Sequence, residues 1–155
     1  MLLDLPLSRS KLDRAAHLRA DSASLEELWK GAKVISMIGD KFKNKDGGLV
    51  YSSSIETQGE RYFLGLDETG TPYFVLHQAG SSHDAPEDFH SLRTIGAQLN
   101  DLDIGAAVHA LALTQWHESH QRCAKCGDAT HPTFAGAVRE CNACEASHHP
   151  RTDPA

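Results

Sequence analysis

The residues of this 155-residue chain best suited to chemistry are its four cysteines, which form two identically spaced pairs. Each pair is a Cys-x-x-Cys motif, and fourteen residues separate the two. Two such tight turns can each offer two sulfurs to one ion, and the residues between them form the hairpin that brings them together. The sequence therefore predicts a zinc ribbon over residues 121–149, with these metal ligands: Cys123, Cys126, Cys141 and Cys144.

Two other interpretations of the cysteines are weaker. The pairs could be two redox motifs or two disulfides, but the chain has no further cysteine and the pairs stand at ribbon distance. The ligands alone do not separate zinc from iron in a rubredoxin-like site. Gly127 follows the first pair, where such a turn often needs a positive φ, whereas Glu145 follows the second.

Five histidines crowd the same region: His117, His120, His131, His148 and His149. Four thiolates already complete a structural zinc site. We therefore expect these histidines at the surface or beside the ligands rather than on the metal.

The elements that precede the ribbon follow from hydrophobic pattern and turn residues. A capping-box pattern at residues 24–27 predicts a short helix that ends at Gly31. The β-branched run 33–38 predicts a strand. Residues 41–48 have the composition of a polar turn, and a further strand is expected at 49–51.

The second half of this region is predicted to alternate in the same way. Residues 61–66 and 72–76 predict a β-hairpin, and residues 91–99 a short helix. A longer helix, capped by Asp101 or Asp103, delivers the chain to the first cysteine pair. The fold class is α+β: a small mixed N-terminal domain over residues 1–120, then the ribbon.

Composition excludes several classes of function. The net charge of −6 has the wrong sign for a stand-alone nucleic-acid binder that neutralises phosphates. No apolar run approaches the ~20 residues of a membrane span, and the N-terminus lacks the features of a signal peptide. Four cysteines committed to metal fit a reducing cytosol, so we expect a cytoplasmic protein. No Gly-rich phosphate loop or Ser/His/Asp arrangement points to a complete catalytic site.

Three stretches together carry a family resemblance. The first is SLRTIG at 91–96, the second AVHAL at 107–111 leading to WHESH at 116–120. The third and most specific runs CxxCG, then GxxRxCxxC, then HPRTDPA over 123–155. This combination resembles the NADH pyrophosphatase family, which are Nudix hydrolases with an N-terminal domain and a zinc ribbon.

The resemblance implies hydrolysis of the pyrophosphate of NADH or NAD to AMP and nicotinamide mononucleotide, and in some members removal of NAD caps from RNA. It also implies a homodimer. Family members hold Mg or Mn with glutamates of a Nudix box, Gly-x5-Glu-x7-Arg-Glu, and no such pattern occurs in this sequence. We expect residues 150–155 to be a linker toward a Nudix domain, and the chain alone to be inactive.

Two further residues carry over from the resemblance as substrate-binding candidates. Arg93 matches a family arginine associated with substrate, and a guanidinium suits phosphate recognition. His149 stands where the family usually has a tyrosine. Arg122 and Ala137 also depart from the family pattern. The alternative hypothesis is a self-sufficient zinc-ribbon adaptor that binds a protein or RNA partner.

Overall fold

The computed structural model describes residues 10–53 and 58–150, and it has the predicted α+β class. Three α-helices lie in these residues: α1 Ser22–Lys30, α2 Leu92–Ile95 and α3 Asp101–Ser119. Seven strands form the larger sheet: β1 Lys33–Ile38, β2 Lys41–Lys45, β3 Gly48–Leu49, β4 Tyr51–Ser53, β5 Glu60–Leu66, β6 Pro72–Gln78 and β7 Phe89–Ser91. A smaller sheet follows: β8 Thr130–Thr133, β9 Val138–Cys141 and β10 Ser147–His148.

The larger sheet is built around the central strand β1. Its main path runs β3-β2-β1-β6-β5, while β4 pairs with β1 and β7 pairs with β2. The β1–β6 pairing is parallel and the other pairings within this sheet are antiparallel. The hairpin expected at 61–66 and 72–76 is confirmed as β5 and β6.

Hydrophobic residues on the two faces of this sheet form two cores. One face packs against the alanine-rich side of α3, where Ala107 and Ala110 are fully buried. The opposite face packs against α1 through Leu25, Leu28 and Trp29. Alternate residues of a strand point to opposite faces, so Val34 and Ile35 enter different cores.

The start of α1 differs from the prediction. The capping box placed the first turn at Ser24, but the N-cap is Asp21, whose carboxylate accepts hydrogen bonds from the Ala23 and Ser24 N–H groups at 3.1 and 3.2 Å. An aspartate at this position satisfies two N–H groups that the helix leaves free. Gly31 ends the helix as expected.

The polar segment 41–48 was predicted to be a turn, and this was wrong. Lys41–Lys45 form strand β2, because Phe42 is fully buried in the core and the backbone pairs with both β1 and β7. The turn itself is short, with Asp46 and Gly47 at φ 49 and 81°. Two successive positive φ values suit the two-residue hairpins that Asp-Gly favours.

The N-cap of the long helix α3 lies one residue before the first of the two predicted caps, Asp101. Asn100 is the N-cap, and its side chain accepts from the Asp103 N–H at 2.9 Å. Asp103 is instead buried, where its carboxylate accepts from the Tyr51 hydroxyl at 2.5 Å and the Leu49 N–H at 3.3 Å. Helix α2 is shorter than the predicted 91–99.

Candidate metal centre

The four cysteine sulfurs converge on one point at the end of the chain. All four Sγ atoms lie within 4.8 Å of one another, with 3.7 Å between Cys123 and Cys144 and 3.4 Å between Cys126 and Cys141. A zinc tetrahedron with bonds of about 2.3 Å has edges of about 3.8 Å, whereas a disulfide needs about 2.05 Å. The set fits one thiolate-bound ion, and the fold is consistent with the predicted zinc ribbon.

The two cysteine turns have the same backbone geometry. The Gly127 N–H donates to the Cys123 carbonyl at 2.9 Å, and the Glu145 N–H donates to the Cys141 carbonyl at 3.2 Å. Both residues take a positive φ, 83° for Gly127 and 55° for Glu145. The second turn therefore adopts the left-handed conformation without glycine, and the strain falls on Glu145.

Hydrogen-bond donors surround the sulfur of Cys123. The Lys125 N–H lies 3.3 Å from this Sγ, and His148 Nε2 lies at the same distance. Burial raises the pKa of the Cys123 thiol, but the N–H groups of Cys126 and Lys125 and the side chains of His148 and Cys144 lower it to about 5. A low thiol pKa favours the thiolate, which is the form that binds metal. At Cys126 the Asp128 N–H lowers the pKa, but the neighbouring Cys141 and Cys144 thiols raise it to about 12.

The other predicted histidines are distributed around the ribbon. His131 Nδ1 lies 2.6 Å from the Asn142 side-chain oxygen in the second cysteine turn. His120, at the end of α3, is exposed and close to the Trp116 carbonyl, and His149 is exposed after β10. His117 is the exception to the expected surface or ligand-side position: it is buried at the contact between the ribbon and the N-terminal domain.

That contact is organised by a buried guanidinium that the sequence analysis did not single out. Arg139 on β9 is only 6% exposed. Its Nε donates to the Thr130 hydroxyl at 2.8 Å, its Nη2 to the Thr130 carbonyl at 2.7 Å, and its Nη1 to His117 Nδ1 at 2.9 Å. The Thr130 hydroxyl in turn donates to the His120 carbonyl at 2.8 Å. The ribbon is thus hydrogen-bonded to the C-terminal turns of α3.

The hydrogen bonds of His117 fix its protonation. The Arg139 guanidinium can only donate hydrogen bonds, so Nδ1 of His117 must accept. Nε2 therefore carries the proton of the ring and donates it to the Gly136 carbonyl at 2.8 Å. Burial lowers the pKa of His117 to about 4, and the positive charge of Arg139 lowers it as well. The ring is therefore neutral at pH 7, and it stacks on Tyr62 with centroids 4.1 Å apart.

Gly136 meets the N-terminal domain so closely that no side chain fits there. A Cβ on Gly136 would lie 2.5 Å from the Tyr62 ring, and its φ is 91°. This glycine lets the ribbon backbone approach the sheet. The GxxRxCxxC pattern includes Gly136 and Arg139, but its spacing does not indicate that these two residues form the junction.

An open cleft of about 530 Å³ lies beside this junction, between the larger sheet and the ribbon. Its walls carry both signs of charge, with Glu60 and Glu118 on the side of the N-terminal domain and Arg122 on the side of the ribbon. His77 Nε2 is 3.4 Å from the Glu118 carboxylate, but its geometry does not make a hydrogen bond.

The two substrate-binding candidates lie in different parts of the chain. Arg93 is exposed on the short helix α2, and His149 is exposed just after β10. Their roles remain predictions. The predicted linker lies, apart from Pro150, outside the described residues.

Residues 13–116 match the family model described as "NADH pyrophosphatase-like rudimentary NUDIX domain". The chain belongs to the NADH pyrophosphatase family. The match covers the larger sheet and most of α3, and the four cysteines follow within the next residues of the chain. The N-terminal domain of this family member is thus itself described as Nudix-like, which the sequence analysis had not proposed. The expected boundary at residue 120 stays a prediction.

Curated relatives agree with this family assignment. The human protein "NAD(P)H pyrophosphatase NUDT13, mitochondrial" is 32% identical over 100 residues, which are 63% of this chain and 28% of the relative. The mouse protein of the same name is 31% identical over 118 residues, 74% of this chain and 33% of the relative. "Nudix hydrolase 19, chloroplastic" of Arabidopsis thaliana is 37% identical over 54 residues, 34% of this chain and 12% of the relative.

The matched part of this family member spans no more than a third of these relatives. In the part of the chain that the structure describes, no helix has the length and apolar character needed to cross a bilayer.

Proposed function

We propose that this chain is the non-catalytic N-terminal and zinc-ribbon portion of an NAD(H) diphosphatase. The whole protein would hydrolyse the pyrophosphate of NADH or NAD to AMP and nicotinamide mononucleotide, and NAD-capped RNA would be a further substrate. The observation that carries the proposal is the family match over residues 13–116, followed at once by four converging thiols.

The chemistry of the reaction would lie outside these 155 residues. Attack of water on phosphorus needs Mg or Mn held by carboxylates, which the family supplies from the Nudix box. The sequence has no Gly-x5-Glu-x7-Arg-Glu pattern. The four cysteines would instead hold one structural zinc. The role of this portion would be to position the substrate and support the dimer rather than to catalyse.

The deciding experiment compares this chain with the same chain extended through the downstream reading frame. AMP release from NADH is followed with Mg or Mn in both proteins. We expect activity only in the extended protein. Activity in the short chain would overturn the non-catalytic assignment, and inactivity of both would favour the adaptor hypothesis.

Arg93 and His149 are proposed to contact substrate in the extended protein. A guanidinium can bind a phosphate and an imidazole can stack on a base. Arg93→Ala and His149→Ala are expected to raise KM for NADH, with exposed Lys11→Ala as the matched surface control. An unchanged KM in either variant would remove that residue from the site.

The metal is proposed to be zinc, and the assembly a homodimer. Elemental analysis should find one zinc per chain in a colourless preparation, whereas a red, iron-containing protein would support the rubredoxin-like alternative. Light scattering on the extended protein should give twice the mass of one chain, and a monomeric mass would reject the dimer.

A reducing compartment suits the free thiols of the metal centre. We propose the cytoplasm, and the organelles named for the relatives are the competing locations. Imaging of the tagged full-length protein decides between them.

A further inference from the structure

His148 reaches the metal centre from the strand that follows the second cysteine pair. Strand β10 pairs with β9, where His148 stands opposite Arg139. This pairing places His148 Nε2 3.3 Å from Sγ of Cys123, which belongs to the first pair. The histidine is half-buried, and its neighbours Ser147 and His149 are exposed. One side chain therefore connects the end of the ribbon to its beginning.

The direction of this hydrogen bond follows from the chemistry of a metal-bound sulfur. A thiolate on zinc has no proton to give, so Nε2 must carry the hydrogen and donate it. The four sulfurs already supply the ligands of a tetrahedral ion, which leaves His148 outside the coordination shell. We propose that His148 donates to the Cys123 thiolate and slows loss of zinc from the first cysteine pair. This inference rests on the zinc site proposed above.

The two sulfurs of the first pair lie in different surroundings. Each sulfur accepts a backbone N–H, from Lys125 at Cys123 and from Asp128 at Cys126. Cys123 is also buried and accepts from the His148 side chain, whereas Cys126 is exposed. A hydrogen bond stabilises the charge of a thiolate and makes its lone pair a weaker nucleophile. Electrophiles and competing chelators should therefore reach the Cys126 side of the ion first.

The test measures zinc transfer from the metal-loaded full chain to a chromophoric chelator at pH 7.5. His148→Ala should release zinc about 10-fold faster, because loss of an outer donor typically costs 10- to 100-fold in metal affinity. His148→Gln keeps an N–H donor and should recover most of the slow release. Ser147→Ala, on the same strand, is the matched control and should behave as the wild type. Equal rates for His148→Ala and wild type would overturn the proposal.

Limited alkylation of the zinc-loaded chain with iodoacetamide, mapped by mass spectrometry, supplies a second readout. Cys126 should be modified before Cys123 in the wild type, and in His148→Ala the modification rate of Cys123 should rise toward that of Cys126. Preferential modification of Cys123 in the wild type would contradict the proposed shielding.

Cobalt substitution separates the failure of this inference from failure of the zinc site. The spectrum of the cobalt-loaded wild type should be that of four thiolates and should stay unchanged in His148→Ala. A changed spectrum would mean that His148 is a ligand, and the outer-donor role would fall. A wild type that binds neither zinc nor cobalt would overturn the metal site and this inference together.

Discussion

The larger sheet and the ribbon are each stabilised by a different kind of interaction. The larger sheet buries aromatic and aliphatic side chains on both faces, among them Phe42, Phe63 and Leu64, all fully buried. The ribbon has few such residues, and its buried groups include two cysteines, Thr130 and Arg139. A small module of this kind cannot bury enough apolar surface to fold alone. We therefore expect its stability to come from a metal held by the four thiols and from polar contacts with its neighbour.

The largest expected effect tests the metal side of this comparison. Cys126→Ala removes one of the four ligands, and structural zinc contributes roughly 10 kcal/mol or more in small modules. We expect residues 121–149 to lose their amide protection while β1, β5 and β6 keep theirs. Hydrogen exchange measured by mass spectrometry checks both regions at once. Retained protection across the ribbon would show that it does not depend on metal.

The next effect concerns the polar junction between the two regions. Arg139→Ala removes three hydrogen bonds and leaves His117 Nδ1 and the Thr130 carbonyl without their donor. We expect the free energy of unfolding of the metal-loaded ribbon to fall by about 3 kcal/mol, in the range for buried charged hydrogen bonds. Urea unfolding followed by zinc release measures it. Exposed Arg122→Ala is the control and should cost less than about 0.5 kcal/mol.

Acid should act on the same junction through His117. Its pKa is about 4 in the folded protein, against an ordinary value near 6.5 in the unfolded chain. Between these values the unfolded chain binds a proton that the folded protein does not, so this contribution to stability is full above pH 6.5 and is lost as the pH falls to about 4. The loss is at most roughly 3 kcal/mol.

A difference experiment isolates this contribution. The stability of wild type minus that of His117→Gln should slope between pH 6.5 and 4 and be flat above pH 7. His109, whose pKa burial likewise lowers to about 4, offers the matched comparison inside the N-terminal domain. A flat difference for His117→Gln across the whole range would contradict a neutral ring at the junction.

The smallest effect separates the two cysteine turns from each other. Gly127 and Glu145 hold the same left-handed position, and a left-handed backbone costs a non-glycine residue roughly 1–2 kcal/mol. Glu145→Gly should therefore stabilise the metal-loaded ribbon by about 1 kcal/mol, and Gly127→Ala should destabilise it by a similar amount. A Cβ on Gly127 would meet no other atom, so the cost of Gly127→Ala comes from the positive φ alone. Opposite signs in urea unfolding confirm the shared geometry, and equal signs reject it.

Spacing predicted the convergence of the four thiols because these candidate ligands are local in sequence. Two Cys-x-x-Cys motifs define their turns within a few residues, whatever surrounds them. The β5–β6 hairpin could be predicted from the sequence for the same reason, since its strands are rich in aromatic and branched residues around a polar turn.

The errors arose where distant residues decide the local structure. Lys41–Lys45 is charged at alternate positions and has one large apolar residue, Phe42, so its strand exists because β1 and β7 pair with it. The role of His117 depends on Arg139, twenty-two residues away, and no short-range pattern connects the two. Tertiary contacts overrode local composition in both places.

Helix α3 makes the geometry of the whole chain sensitive to register. Asp103 anchors its beginning to Tyr51 and Leu49, while His117 anchors its end to the ribbon, about four turns later. One residue inserted between these anchors would turn the second by about 100° relative to the first. A whole inserted turn would restore this rotation, but it would shift His117 by about 5.4 Å along the helix axis and so break its stacking on Tyr62. The length of this helix is therefore as constrained as the residues at its two ends.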